Sequence, residues 1–251
     1  MGSVKATTEE DYNKLRSIFS DARISIMTEE EKAIYTENDV TVEEKLYKGT
    51  QTTNGTYIYE EIDPSLEDDI RESAEVSTLD DSFHQTTYKK ITLLDAELSS
   101  SLHRVTVYTQ WLITPVTQSY DVTAMRVEDA NVIDGTQTGL QVYRKNGTVQ
   151  SVSYSPNGTN IRKSDNGFGI SMNLVNGGTN FETEIAANVQ ATSQYAMAYG
   201  TYQHAVTDVT LDESQSYFIS HNGFGDVVNF ATGVQNKYDG MAGVSVSLSY
   251  S

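Results

Sequence analysis

Val244-Ser245-Val246-Ser247-Leu248-Ser249-Tyr250-Ser251 alternates apolar and polar residues without a break. A period of two places Val244, Val246, Leu248 and Tyr250 on one face of a strand and four serines on the other. The same period runs through Val105, Val107, Thr109, Trp111 and Ile113, with Thr106, Tyr108, Gln110 and Leu112 opposite, and resumes at Tyr120, Val122 and Ala124. One face toward a core and one toward water is the pattern of an antiparallel sheet.

Turn chemistry agrees with that reading. Asn-Gly occurs at Asn54, Asn146, Asn157, Asn166, Asn176 and Asn222, and Asp-Gly at Asp134 and Asp239. Type I′ hairpin turns need two residues at positive φ, which this dipeptide supplies at least cost. Three of the Asn-Gly pairs continue into Thr and match glycosylation sequons, but as hairpin turns they need no glycan. The expected fold is therefore all-β, mainly an antiparallel β-sandwich of about 12–14 strands, with a short N-terminal helical element.

That element is signalled by Thr8-Glu9-Glu10-Asp11 and by Thr28-Glu29-Glu30-Glu31, two capping patterns with carboxylates in the first turn. They predict helices near 7–22 and 28–36, the first with Tyr12, Leu15, Ile18 and Phe19 on one face. Residues 1–40 are thus read as a helical segment packed on the β body, and 41–251 as a single antiparallel β domain. Within it, residues 60–81 hold ten acidic residues and one basic one, Arg71, with Asp63-Pro64 as a breaker. A like-charge block of this kind predicts a solvated, mobile loop, with calcium binding as the sharper alternative.

Composition narrows the function classes. The hydrophobic share is 37%, and 16 Tyr outnumber 7 Phe and one Trp, which suits a thin two-layer protein with solvated sheet faces. With 17 basic against 35 acidic residues, the net charge of −18 repels phosphate and argues against nucleic-acid binding. The absence of cysteine excludes disulfides, zinc ribbons and thiol catalysis. No run of 18 apolar residues suggests a membrane helix. Met1-Gly2-Ser3 reads as an expression scar in place of a removed export signal. The Tyr, Ser, Thr, Asn and Gly content resembles that of secreted proteins of Gram-positive gut bacteria, which implies a secreted or cell-surface location.

No catalytic motif emerges. There is no G-x-S-x-G; Gly169-Ile170-Ser171-Met172-Asn173 lacks the final glycine. His84, His103, His204 and His221 have no metal-ligand spacing, and no cofactor is expected beyond a possible calcium ion. The feature that stands out is a repeat: Ser164-Asp165-Asn166-Gly167-Phe168-Gly169 recurs as Ser220-His221-Asn222-Gly223-Phe224-Gly225. Its backbone reading is a turn, a packed Phe and a bulge glycine. Its functional reading is a pair of rim loops in which Asp165, Asn166, Phe168, His221, Asn222 and Phe224 bind a ligand.

The long segment 181–209 resembles the membrane hairpins of β-barrel pore-forming toxins, in its small polar residues on one parity against Tyr195, Met197, Tyr199 and Thr201 on the other. Two functions follow as expectations. The first is a secreted or cell-surface, non-enzymatic protein binding a glycan, a surface partner or copies of itself. The alternative is a membrane-active protein that releases 181–209 into a pore.

Overall fold

Thr8 and Thr28 each close a capping box, the threonine oxygen accepting the N3 amide while Asp11 or Glu31 accepts the cap amide. They start helices α1 (Glu9–Arg16) and α3 (Glu29–Thr36), with the one-turn α2 (Asp21–Ile24) between them. Ser20 caps α2, so the helix expected over 7–22 is split at that serine. In the computed structural model, residues 7–52, 57–77, 86–220, 227–241 and 243–250 are described.

After the helices the chain runs through β1 (Asp39–Gln51), β2 (Tyr57–Ile62), α4 (Glu67–Ser77), β3 (Thr86–Ser99) and β4 (Leu102–Trp111). Next come β5 (Tyr120–Glu128), β6 (Ala130–Val132), β7 (Thr138–Lys145), β8 (Thr148–Tyr154), β9 (Ile161–Ser164) and β10 (Gly167–Asn173). The remainder is β11 (Thr179–Ala191), β12 (Met197–Gln203), α5 (Leu211–Ser214), β13 (Tyr217–Ile219), β14 (Val228–Phe230) and β15 (Val244–Ser247). A first sheet has the order β2-β1-β3-β4-β11-β7-β8, with β6 also on β11, and a second has β15-β12-β5-β10-β9. β13 and β14 form a separate hairpin. Every pairing between these strands is antiparallel, and the fold is a β-sandwich.

The main core lies between the two sheets. Leu93, Val107 and Ile185 from the first meet Met125, Phe168, Tyr202 and Val246 from the second. Both outer faces are also covered, so the sheets do not present the solvated faces that the tyrosine content suggested. Leu15, Ile18, Phe19 and Tyr35 cover Leu94, Ala96 and Tyr108 on the first sheet. Tyr217, Ile219, Val228 and Tyr238 cover Val122, Ala124 and Tyr199 on the second. Over its middle the protein is four layers deep. Each fully buried large apolar side chain contributes about 1.5–3 kcal/mol, so these outer clusters add materially to a core that composition makes look meagre.

The tyrosines follow. Tyr35, Tyr47, Tyr108, Tyr143, Tyr199, Tyr202, Tyr217 and Tyr238 are buried rather than set on solvated faces. The outward parity of β4 (Thr106, Tyr108, Gln110) meets helices, not water, whereas Ser245 and Ser247 on the edge strand β15 are exposed as expected.

Two local expectations are corrected. Of the acidic stretch 60–81, residues 60–77 carry the end of β2, a 3-10 turn capped by Asp63, and α4, and 78–81 lie outside the described residues. Its charges are arranged rather than merely repelling: Arg71 pairs with Glu67 one turn back, Lys90 also binds Glu67, and Ile70 packs on Leu46 and Leu112. The Asn-Gly rule holds for the β7–β8 hairpin, where Asn146 and Gly147 have φ of 52° and 76°. At Asn157-Gly158 and Asn166-Gly167 neither residue has positive φ. Gly167 is needed for another reason, since a Cβ there would lie 2.3 Å from the Met125 carbonyl oxygen on β5.

Candidate functional site

A cleft of about 300 Å³ opens over the outer face of the first sheet, between the α1–α2 turn and α4. Its floor holds Lys90 on β3 and Gln110 on β4, which are cross-strand partners; the next residue of that ladder row, Glu182 on β11, does not line the cleft. Arg16 and Asp21 come from the α1–α2 turn, and Glu67 and Arg71 from α4.

The walls are preorganised by charge. Glu67 receives Lys90 Nζ at 2.9 Å and Arg71 Nη2 at 2.6 Å. Burial pushes the Glu67 carboxyl up, but these two cations outweigh it and hold the pKa below the ordinary value. Arg16 donates to Asp21 at 3.2 Å. Beneath the helices, Glu182 accepts from Tyr108 at 2.6 Å and from Ser20 at 2.9 Å, and burial raises its carboxyl above the ordinary range. Gln110 differs from all of these. The residue is only 5% exposed, lines the cleft and makes no side-chain hydrogen bond among the described residues, so its carboxamide is open to the cleft and to solvent there. A second depression of about 460 Å³, lined by Val40, Val42 and Glu44, shares Ser17 and Ile18 with the first.

A different constellation lies inside the main core. The side chains of Lys89 and Asp239 are in hydrogen-bond contact, and both are fully buried. Lys89 Nζ sits 4.3 Å from the ring centre of Tyr59 and 5.2 Å from those of Trp111 and Tyr202. Burial lowers the amine pKa against the opposing pull of Asp239 and Asp121. Asp121 accepts the Tyr202 hydroxyl, His204 Nδ1 at 2.9 Å and the Ala205 amide at 2.8 Å. The His204 amide donates to Asp239 Oδ1 at 3.1 Å.

Of the repeat, the first copy is described. Asp165 is exposed at the β9–β10 turn, and Ser164 donates to Asn166 Oδ1 at 3.0 Å. Asn166 Nδ2 donates to the Ser220 carbonyl at 3.3 Å, so the first turn abuts the start of the second copy. Phe168 is wholly buried in the main core, where its ring packs the sandwich and cannot meet a ligand. His221, Asn222 and Phe224 lie outside the described residues.

The 181–209 segment does not form a hairpin. β11 lies between β4 and β7 in the first sheet, and β12 between β15 and β5 in the second. The two strands do not pair with each other, and releasing them would dismantle both sheets. Among the described residues, no helix is long and apolar enough to cross a membrane, which says nothing of strands. Among the same residues, no group of three or more His, Asp or Glu is placed to hold a metal ion.

Two of the residues that matter were readable by parity. Lys89 shares the core-facing parity of Ile91 and Leu93, and Asp121 that of Met125 and Val127. An ionisable residue on an apolar face was the signal that sequence reasoning passed over. Asp239, in a coil segment, offered none.

No protein-family model matches the chain, and no curated protein matches it. Among solved structures, the collagen-binding domain of a Staphylococcus aureus adhesin aligns at 11% identity and a TM-score of 0.29, over 41% of this chain and 76% of that one. The collagen-binding domain of an Erysipelothrix rhusiopathiae surface protein aligns at 8% identity and 0.33, over 64% and 62%. A carbohydrate-binding module solved with β-1,4-galactotriose aligns at 10% identity and 0.18, over 47% and 68%.

Proposed function

We propose that this chain is a secreted or cell-surface, non-enzymatic binding protein whose cleft at Gln110 takes a saccharide unit of a glycan. The observation that carries this reading is Gln110, a carboxamide in the ladder row under the helices that lines the opening and has no hydrogen-bond partner among the described residues. A ligand hydroxyl that replaces cleft water on this carboxamide gains a net hydrogen-bond contribution of about 0.5–1.5 kcal/mol. Sugar hydroxyls are both donors and acceptors, and the cleft offers both: the Gln110 amide, the guanidinium groups of Arg16 and Arg71, and the carboxylates of Asp21 and Glu67. Glu67, held by Lys90 and Arg71, is fixed before the ligand arrives, which keeps the ordering penalty of binding small.

Ligand-observed saturation-transfer NMR against a panel of neutral and acidic oligosaccharides tests the reading. At least one member should show transfer from the protein. Gln110→Ala should weaken that binding about tenfold, the effect of about 1.4 kcal/mol of lost hydrogen bonding. Transfer unchanged in Gln110→Ala would overturn the assignment of this cleft.

A further inference from the structure

We propose that Lys89 and Asp239 become joined by a side-chain amide bond that the folded protein forms by itself. The amine and the carboxyl are held in contact, and neither side chain has any exposed surface. Keeping such a pair as separated charges in a dry core is unfavourable unless geometry compensates. Moving one proton from the ammonium to the carboxylate yields a neutral amine beside a carboxylic acid, which are the two reactants of amide formation. Burial of Lys89 already biases its nitrogen toward the neutral, nucleophilic form.

The reaction is a condensation. The Nζ lone pair attacks Cγ of Asp239 and a Nζ–Cγ bond forms. Negative charge develops on Oδ1, which receives the His204 backbone N–H at 3.1 Å. A fixed donor at that position stabilises the oxyanion as it appears. The Cγ–Oδ2 bond then breaks, and Oδ2 departs as water with the acid hydrogen and one hydrogen from nitrogen. No oxidant or reductant takes part. The rings of Tyr59, Trp111 and Tyr202 surround Nζ and exclude the bulk water that would favour the reverse reaction.

Asp121 is the positioning residue. Its carboxylate orders His204 through Nδ1, fixes the Ala205 amide and accepts the Tyr202 hydroxyl, while its charge acts on Lys89. It thereby holds the His204 amide on Oδ1 and supplies a nearby base for the proton that moves from nitrogen to the leaving oxygen.

The consequence is topological. Lys89 lies on β3 and Asp239 follows Tyr238, 150 residues later, so the bond closes a loop containing most of both sheets. Such a covalent closure protects a surface-exposed protein from unfolding and proteolysis without any cysteine.

Mass spectrometry of the purified folded protein, denatured before measurement, tests the proposal. The expected mass is one water below that of the sequence, with a branched tryptic peptide in which Lys89 and Asp239 are linked and no cleavage after Lys89. Lys89→Arg should restore the full sequence mass. Asp121→Asn, shown to be folded by near-UV circular dichroism, should leave the bond largely unformed. A wild-type mass equal to the sequence would overturn the bond. So would a one-water deficit confined to Asp239-Gly240, a succinimide, with Lys89 free. Complete bond formation in Asp121→Asn would overturn the role given to Asp121.

Discussion

Replacing Arg23 by methionine removes the charge that pins the N-terminal helices to the first sheet. Arg23 is almost fully buried and donates through Nε and Nη2 to Glu184 at 2.7 and 3.0 Å, with a further contact to Glu31 at 3.0 Å. Glu31 is partly exposed and adds little. Glu184 is buried, so the variant leaves a carboxylate without its cation under the helices. Breaking a buried pair on one side costs about 3–5 kcal/mol. Against a total stability of about 5–15 kcal/mol for a domain, that is a large fraction. Removing both charges, in Arg23→Met with Glu184→Leu, should recover most of the loss, because no isolated charge then stays buried. Urea unfolding followed by the fluorescence of Trp111, the single tryptophan and a core residue, reads both variants. A single variant within about 1 kcal/mol of wild type would refute the reasoning, as would a double variant as unstable as the single one.

Three further outcomes follow from individual contacts. A Cβ on Gly169 would lie 2.5 Å from the Tyr217 hydroxyl, so Gly169→Ala should lose about 1–3 kcal/mol in the same urea assay, and adding Tyr217→Phe should restore part of it. His103 is buried with Nδ1 at 2.8 Å from Asp95 and Nε2 at 2.8 Å from the Ser249 carbonyl; burial lowers its pKa, but these partners more than offset that and raise it above 6.5. A raised folded value means its contribution is complete below 6.5 and is lost as pH rises through the folded value, a slope that urea titrations of His103→Gln should lack. Glu182 is raised by burial against the hydrogen bonds of Tyr108 and Ser20, so the folded state binds its proton more tightly and stability falls as pH rises from 4.5 through the folded value. Glu182→Gln keeps an acceptor for both hydroxyls and should flatten that decline; an unchanged slope would place its origin elsewhere.

How far the fold was legible depended on how local its causes are. Period-two alternation in β4 and β15 and the threonine caps of α1 and α3 are written within a few residues, and the sheets and helices follow from them. The outer layers were harder to read because the sheet faces they cover mix apolar with polar residues and their partners are distant in the chain. Thr106 reads as solvent-facing in the alternation, but Tyr35 bonds it at 2.8 Å, and Glu182 and Glu184 meet Ser20 and Arg23 more than 150 residues away. Helix α4 was hidden because repulsion within its acidic run is relieved in part by Lys90, which belongs to strand β3 and is distant in sequence. The cleft was illegible for the same reason: Gln110 reads as an ordinary polar position in an alternating strand, and only the packing of α1, α2 and α4 around it turns that position into the floor of a cleft. The repeat, conspicuous in sequence, owes its first phenylalanine and first glycine to packing.

The central claim is that the cleft at Gln110 is where this protein meets its ligand. Amide chemical-shift mapping during titration with the oligosaccharide that shows the strongest saturation transfer tests it most directly. Shifts should concentrate at residues 16–21, 67–71, 90 and 110, and should be lost in Gln110→Ala. Shifts centred instead on residues 164–167, or unchanged by the substitution, would contradict it.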